Sequence, residues 1–275
     1  MSLIAIIGAG PTGAALAHKL ASRSRVREIR LIDPTATIAQ GKALDILQSG
    51  PIEGFSASVS GTDSLHAAAG ASVVVIADAA SNGEYAGDSA LGMVRKLHAA
   101  GVSAPVVFAG ASQREAIKMA VTELHVPAAR AIGSAPFALE SALRALCAVV
   151  ADTSAAEVSL SVVGVPPNRA VIAWEEATVS RQPLTTALAP HEIAALSARI
   201  ASLWPPGPYA LGSAAARVVE ALCNGSRRRF SCFVDRSRGK IVAMPVELGG
   251  EGIRRILEPA LTRLERTVLD NALEV

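Results

Sequence analysis

Aromatic residues are scarce in this chain: five Phe, two Tyr and two Trp make up 3% of 275 residues. Because 51% of the residues are hydrophobic, the core must be built mostly from Ala, Val, Leu and Ile. Cysteine is nearly absent as well. Cys147, Cys223 and Cys232 are odd in number and lack metal-ligand spacing, which excludes a disulfide scaffold and a zinc site of that kind; a reduced, cytoplasmic compartment is expected. Charge of one sign is also missing. With 26 basic and 24 acidic residues the net charge is +2, which argues against nucleic acid or an acidic partner. The single basic run, Arg227-Arg228-Arg229, is read as the solvated start of a hairpin. No apolar run is long enough to span a bilayer, and Leu3–Ile7 is too short for a secretory core, so no membrane association is expected.

What the sequence does contain is a regular alternation. Leu3–Ile7 (LIAII) is a continuous apolar run, as for a strand covered on both faces. A helix at 14–21, a strand at 28–33 and a helix at 40–48 that stops at Gly50-Pro51 follow. Buried strands at 73–77 (VVVIA) and 105–109 (PVVFA) flank a helix at 88–100. Strands alternating with helices predict an α/β fold with a Rossmann-type, doubly wound parallel sheet. Past residue 135 the texture changes to a long helix at 136–150, strands at 158–163 and 170–174, and helices at about 191–203 and 212–223. A hairpin of strands 229–234 and 240–246 and a closing helix at about 258–272 complete a mixed α+β half. Two domains are therefore expected, residues 1–135 and 136–275.

The turn after the first strand reads Gly8-Ala9-Gly10-Pro11-Thr12-Gly13. Gly8 permits a tight turn, Gly10 lets backbone approach a pyrophosphate, and Gly13 lets the helix pack on the strand, with the helix N-terminus facing the phosphates. Asp33 ends the second strand about twenty residues later, where a carboxylate can accept both ribose hydroxyls of an adenosine. It would repel a 2′-phosphate, so NAD is favoured over NADP. Gly8, Gly10, Pro11, Thr12, Gly13 and Asp33, with Ala77 at the end of the 73–77 strand, are the candidate cofactor-binding residues. GAGPTGAALA also resembles the FAD-binding start of aromatic-ring monooxygenases. Those usually place Glu at the end of the second strand and carry a later Gly-Asp motif, and neither occurs here.

Further segments carry a resemblance that runs nearly end to end. Gly41-Lys42-Ala43-Leu44-Asp45 with Ile52-Glu53-Gly54-Phe55, Thr178-Val179-Ser180 with Pro183-Leu184, Val219-Glu220-Ala221-Leu222, and PVELGGEGI at 245–253 together resemble the lactate/malate dehydrogenase family. The resemblance implies a Rossmann domain plus a mixed substrate domain, NAD as cofactor, and a homodimer or homotetramer formed through the helix at 40–48.

The family's functional positions fare differently. Its Gly-x-His-Gly-Asp turn, which carries the catalytic histidine, reads Gly164-Val165-Pro166-Pro167-Asn168 here, so Pro166 stands at the histidine position. Its Asp-x-x-Arg pair, which orients that histidine and grips the substrate carboxylate, falls on Leu139 and Ala142. Arg144 lies two positions beyond, roughly 200° around a helix, and should face elsewhere. The mobile loop that supplies an arginine corresponds to residues 78–88 (DAASNGEYAGD), without a basic residue, and Arg95 should lie inside the next helix. The family's Ser-Asn-Pro corresponds to Ala109-Gly110-Ala111. His18, His66, His98, His125 and His191 are read as solvated or structural, and Glu140, Glu175, Glu176 and Arg181 as surface charges. No catalytic and no metal-binding residue is assigned. The expectation is an NAD-binding relative without 2-hydroxy-acid dehydrogenase activity. An NAD-dependent oxidoreductase on a non-carboxylate substrate, and a dinucleotide-sensing or partner subunit, are the alternatives.

Overall fold

The computed structural model describes residues 2–23, 26–81 and 83–274. The first half alternates β1 (Leu3–Ile7), α1 (Pro11–Ala21), β2 (Glu28–Ile32), α2 (Ala36–Glu53), β3 (Ser58–Thr62) and β4 (Val73–Ile76). A small hairpin of β5 (Asp78–Ala79) and β6 (Gly83–Glu84) follows, then α3 (Gly87–Ala99), β7 (Val106–Phe108), α4 (Arg114–Thr122) and β8 (Ala131–Gly133). The parallel strands lie in the order β3-β2-β1-β4-β7-β8, the doubly wound arrangement expected from the alternation. The strand order reverses between β1 and β4. In such a sheet ligands bind in the crevice at that switch point, beyond the C-terminal strand ends.

The second half contributes α5 (Ala135–Val150), β9 (Val158–Ser159), β10 (Val162–Val165), β11 (Arg169–Ile172), β12 (Thr178–Val179), β13 (Gln182–Pro183), α6 (Leu184–Ala187) and α7 (Pro190–Ala198). It closes with α8 (Pro208–Asn224), β14 (Ser226–Asp235), β15 (Ile241–Gly249), β16 (Gly252–Ile256) and α9 (Arg263–Leu273). β14 joins β8 antiparallel, so one sheet continues from the parallel half into the mixed half. α8 packs on α1 so closely that a Cβ at Gly212 would lie 2.9 Å from that of Ala15. One apolar core accordingly contains Ile4, Leu16 and Leu20 together with Val218, Leu222, Cys232 and Met244.

Several element boundaries differ from the sequence reading. α2 does not stop at Gly50-Pro51 but runs to Glu53 with Pro51 in its last turn, and ends where Gly54 turns left-handed (φ 75°) and its N–H reaches the Gly50 carbonyl. The strand expected at 158–163 is two pieces, β9 and β10, because the Val162 N–H is taken by the Ser231 hydroxyl at 2.9 Å. The helix expected from 191 to 203 ends at Ala198 and gives way to a single 3₁₀ turn at Ala201–Leu203. The last helix begins at Arg263 rather than near 258, where Thr262 and Glu265 form a reciprocal cap beyond Pro259.

Candidate functional site

At the switch point, β1 ends in Gly8 (φ +107°), whose N–H donates to the Ile32 carbonyl at 2.7 Å. Gly10 caps α1 and Pro11 opens it. Proline has no N–H, so the helix presents its first free donors at Thr12 and Gly13. Both are already taken. The Asp78 carboxylate accepts from the Thr12 N–H at 3.0 Å and the Gly13 N–H at 2.8 Å, while its own carbonyl accepts from Gly10 at 2.8 Å. Asp78 is only 6% exposed.

The glycines are shaped to this carboxylate. A Cβ at Gly8 would lie 2.3 Å from the Asp78 carbonyl oxygen, and one at Gly10 would lie 2.5 Å from the Asp78 Cγ. Gly13 serves the helix–strand contact instead, since its Cβ would meet the Gly8 carbonyl at 2.1 Å. Asp33 is fully buried. It accepts from the N–H groups of Ala9 (2.9 Å), Ala80 (2.8 Å) and Thr35 (2.9 Å), so three of about four acceptor positions are committed to backbone. Ala77 is buried too, and its carbonyl accepts from the Gln113 side chain at 3.1 Å.

The segment expected to be a mobile loop is this β5–β6 hairpin, apart from Asn82, which lies outside the described residues. Its second carboxylate, Glu84, accepts from the N–H groups of Ala111 (3.0 Å) and Ser112 (2.8 Å) just ahead of α4. A Cβ at Gly110 would lie 2.6 Å from Glu84 Oε2, so the space beside residue 110 belongs to Glu84. Gln113, 1% exposed, ties the arrangement together: its amide donates to the carbonyls of Ala77 and Tyr85 and accepts from the Gly110 N–H. The Tyr85 ring packs with Ile7, Ile32 and Ile76 at the ends of β1, β2 and β4. Its hydroxyl has no partner among the described residues, and burial, with the Asp33 charge nearby, pushes it up to about 12.

In the second half, Gly164 (φ +98°) makes the tight β10–β11 turn, where its Cβ would meet the Arg169 carbonyl at 2.1 Å. Pro166 sits buried in that turn, and Leu139 is fully buried among Leu143, Val162 and Ile172, with Ala142 beside it on α5. Arg144 does face elsewhere: it donates to the carbonyls of Val158 (2.8 Å) and Ala155 (2.9 Å) and pins the entry to β9. Arg95 is exposed on α3. His18 pairs with Glu53 at 3.0 Å, and His66, His98, His125 and His191 are exposed. None of the five lines the β10–β11 turn. Glu140 corrects the sequence reading, for it is no surface charge but 5% exposed on α5, accepting the Ser231 N–H at 3.2 Å. Glu176 is held by Arg229, and Glu175 and Arg181 are exposed as expected. An open cleft of about 1540 Å³ lies between α5, α8 and the start of β14, and neither the glycine loop nor the β10–β11 turn lines it.

Comparison with known proteins agrees with this architecture. Residues 2–94 match the model described as lactate/malate dehydrogenase, NAD binding domain. Over 97% of its length the chain is 29% identical to malate dehydrogenase from Thermomicrobium roseum, covering 93% of that protein; a malate dehydrogenase from Roseobacter denitrificans is 29% identical over 98% of the chain and 92% of the relative. Over nearly its whole length the chain is thus similar to malate dehydrogenases, and its first 94 residues to the NAD-binding domain of lactate/malate dehydrogenases. Solved structures repeat the fold: malate dehydrogenase from Salinibacter ruber superposes with a TM-score of 0.87 at 22% identity, over 99% of the chain and 94% of that structure. Lactate dehydrogenase from Cryptosporidium parvum, complexed with lactic acid and nicotinamide adenine dinucleotide, gives 0.86 at 23% identity over 99% and 95%.

Because residues 2–94 match an NAD-binding domain, the residues here can be tested for the dinucleotide. They do not fit it as arranged. The helix N–H groups that would meet a pyrophosphate hold Asp78, and the carboxylate that would meet a ribose is sealed by Ala80. Hydrogen bonds to a charged group contribute about 1.5–3 kcal/mol each, so displacing Asp78 from two of them costs about 3–6 kcal/mol. A dinucleotide of about 1 μM intrinsic affinity would then bind only at roughly 0.1–10 mM. The sequence reading missed Asp78, Gln113 and Tyr85, and the backbone contacts of Glu84. The signal was present as two acids, six residues apart, in a stretch where the family resemblance led one to expect a base.

Proposed function

We propose that this chain is a member of the lactate/malate dehydrogenase family that does not catalyse hydride transfer between NAD(H) and a 2-hydroxy or 2-oxo acid. The observation that supports the reading is which residues stand at the positions the resemblance assigns to catalysis: Pro166 in the β10–β11 turn and Leu139 and Ala142 on α5, with every histidine in another element. A positioned general acid/base contributes roughly 10²–10⁴-fold to such a step. An arginine fork on the substrate carboxylate and a polarised carbonyl are further, separate contributions that Ala and Leu cannot supply. Turnover of malate, oxaloacetate, lactate or pyruvate is expected at background, followed as NADH absorbance. Pro166→His alone should not rescue it, because the imidazole lacks a carboxylate partner at Leu139. Oxidation of NADH with oxaloacetate or pyruvate above about one per second, inside the ordinary enzymatic range, would overturn the reading.

A second reading, a non-catalytic subunit that assembles with another copy or with an active relative, is favoured by α2. On that helix Leu44 (56% exposed) and Ile52 (88%) lie away from the buried Ala39, Ala43 and Ile46, with Leu47 (39%) and Ile38 (37%) on its two flanks. An apolar face of this extent calls for a covering surface, and the family resemblance implies that it is a two-fold mate.

A further inference from the structure

We propose that Asp78, Ala80, Glu84 and Tyr85 are the resident occupants of the dinucleotide cleft, so that the chain as it folds does not bind NAD(H). The inference concerns occupancy alone and stands or falls separately from the loss of hydride transfer.

Three contacts made by one short segment point the same way. The Asp78 carboxylate, on the N–H groups of Thr12 and Gly13, lies where the positive end of α1 would hold a phosphate. The Ala80 N–H, two residues on, closes the fully buried Asp33 against a ribose. The Glu84 carboxylate covers the N–H groups of Ala111 and Ser112 at the head of the neighbouring crossover, in room left by Gly110. Between them the Tyr85 ring joins the core at the ends of β1, β2 and β4.

The segment is fixed rather than leaning. Gln113 bonds to the carbonyls on either side of the hairpin, at Ala77 and Tyr85, and is itself 1% exposed. Gly10 leaves the room that the Asp78 carboxylate fills, while Gly8 makes way for the backbone at 78. A pyrophosphate brought to the loop would meet a carboxylate already seated on the donors it requires. Like charges cannot share them.

Calorimetry on the full chain with NADH tests the proposal without reference to turnover. The wild type is expected to bind more weakly than about 100 μM, and Asp78→Ala, which frees both N–H groups, to gain at least about 10²-fold in affinity. Asp78→Asn keeps the shape, removes the charge and should fall between. Wild-type binding below about 100 μM overturns the proposal, as do variants that stay folded by circular dichroism yet gain nothing. Should both variants unfold, hydrogen exchange on the wild type decides. Slow exchange at Thr12, Gly13, Ala111 and Ser112 that NADH leaves unchanged supports the proposal, and fast exchange that NADH slows overturns it.

Discussion

Glu140 shows what a single residue costs this fold. Burial pushes its carboxyl up to about 7 from an ordinary 4.5, against the opposing pull of the Ser231 hydrogen bonds and the Arg144 charge. An acid with a raised folded-state pKa binds its proton more tightly folded than unfolded. Its contribution is therefore full below about 4.5 and is lost as pH climbs through about 7. At about 1.4 kcal/mol per pKa unit, the loss is on the order of 3 kcal/mol. Glu140→Gln keeps an acceptor for the Ser231 N–H and cannot ionise. Urea unfolding should find the variant more stable than wild type by about that amount at pH 8, and little changed at pH 4.5; an unchanged pH slope would show that Glu140 is hydrated. The sequence concealed this residue for a physical reason. Glu140 and Arg144 stand four apart on a helix, the pattern of an exposed ion pair, yet Arg144 spends its donors on the carbonyls of Ala155 and Val158.

Elements were legible where apolar periodicity was strong and hidden where pairing did the work. β1, β2, β4 and β7 announce themselves as runs of Val, Leu and Ile, whereas β3 (SVSGT) and β8 (AIG) carry little apolar signal and exist because neighbouring strands pair with them. The β5–β6 hairpin was invisible for the same reason: Asp78 and Glu84 are held by contacts to the glycine loop, the start of α1 and the turn ahead of α4 that local sequence does not encode. α2 was seen but read too short, because proline was taken as a stop although the last helical turn tolerates one when a left-handed glycine follows. At this scale the exposed face of α2 makes a prediction. Light scattering at micromolar concentration should report a dimer or larger assembly, and Leu44→Glu with Leu47→Glu should shift it to monomer without loss of helical signal. A monomeric wild type would count against the covered face.

For the whole molecule, the doubly wound half and the mixed half that follows it were both readable. What the sequence concealed is how little separates them. The sheet passes from β8 to β14, and α8 from the second half covers α1 of the first. Residues of both halves fill the same core, from Ile4 and Leu16 to Val219 and Met244. The expected consequence is a single cooperative transition in calorimetry, with van't Hoff and calorimetric enthalpies in agreement. Two resolved transitions would show that the halves fold as independent units. No helix among the described residues is long and apolar enough to cross a membrane.

Gly110 and Glu84 set an order on any attempt at repair. A side chain introduced at 110, such as the asparagine that the family resemblance places there, would start 2.6 Å from a Glu84 oxygen that is already bonded to two backbone groups. The glutamate has to leave first. Removing it alone strips Ala111 and Ser112 of their acceptor and returns nothing. A change at 110 and a change at 84 are therefore coupled, and the effects of such neighbours do not add. The cleft behaves as a ratchet that has already turned.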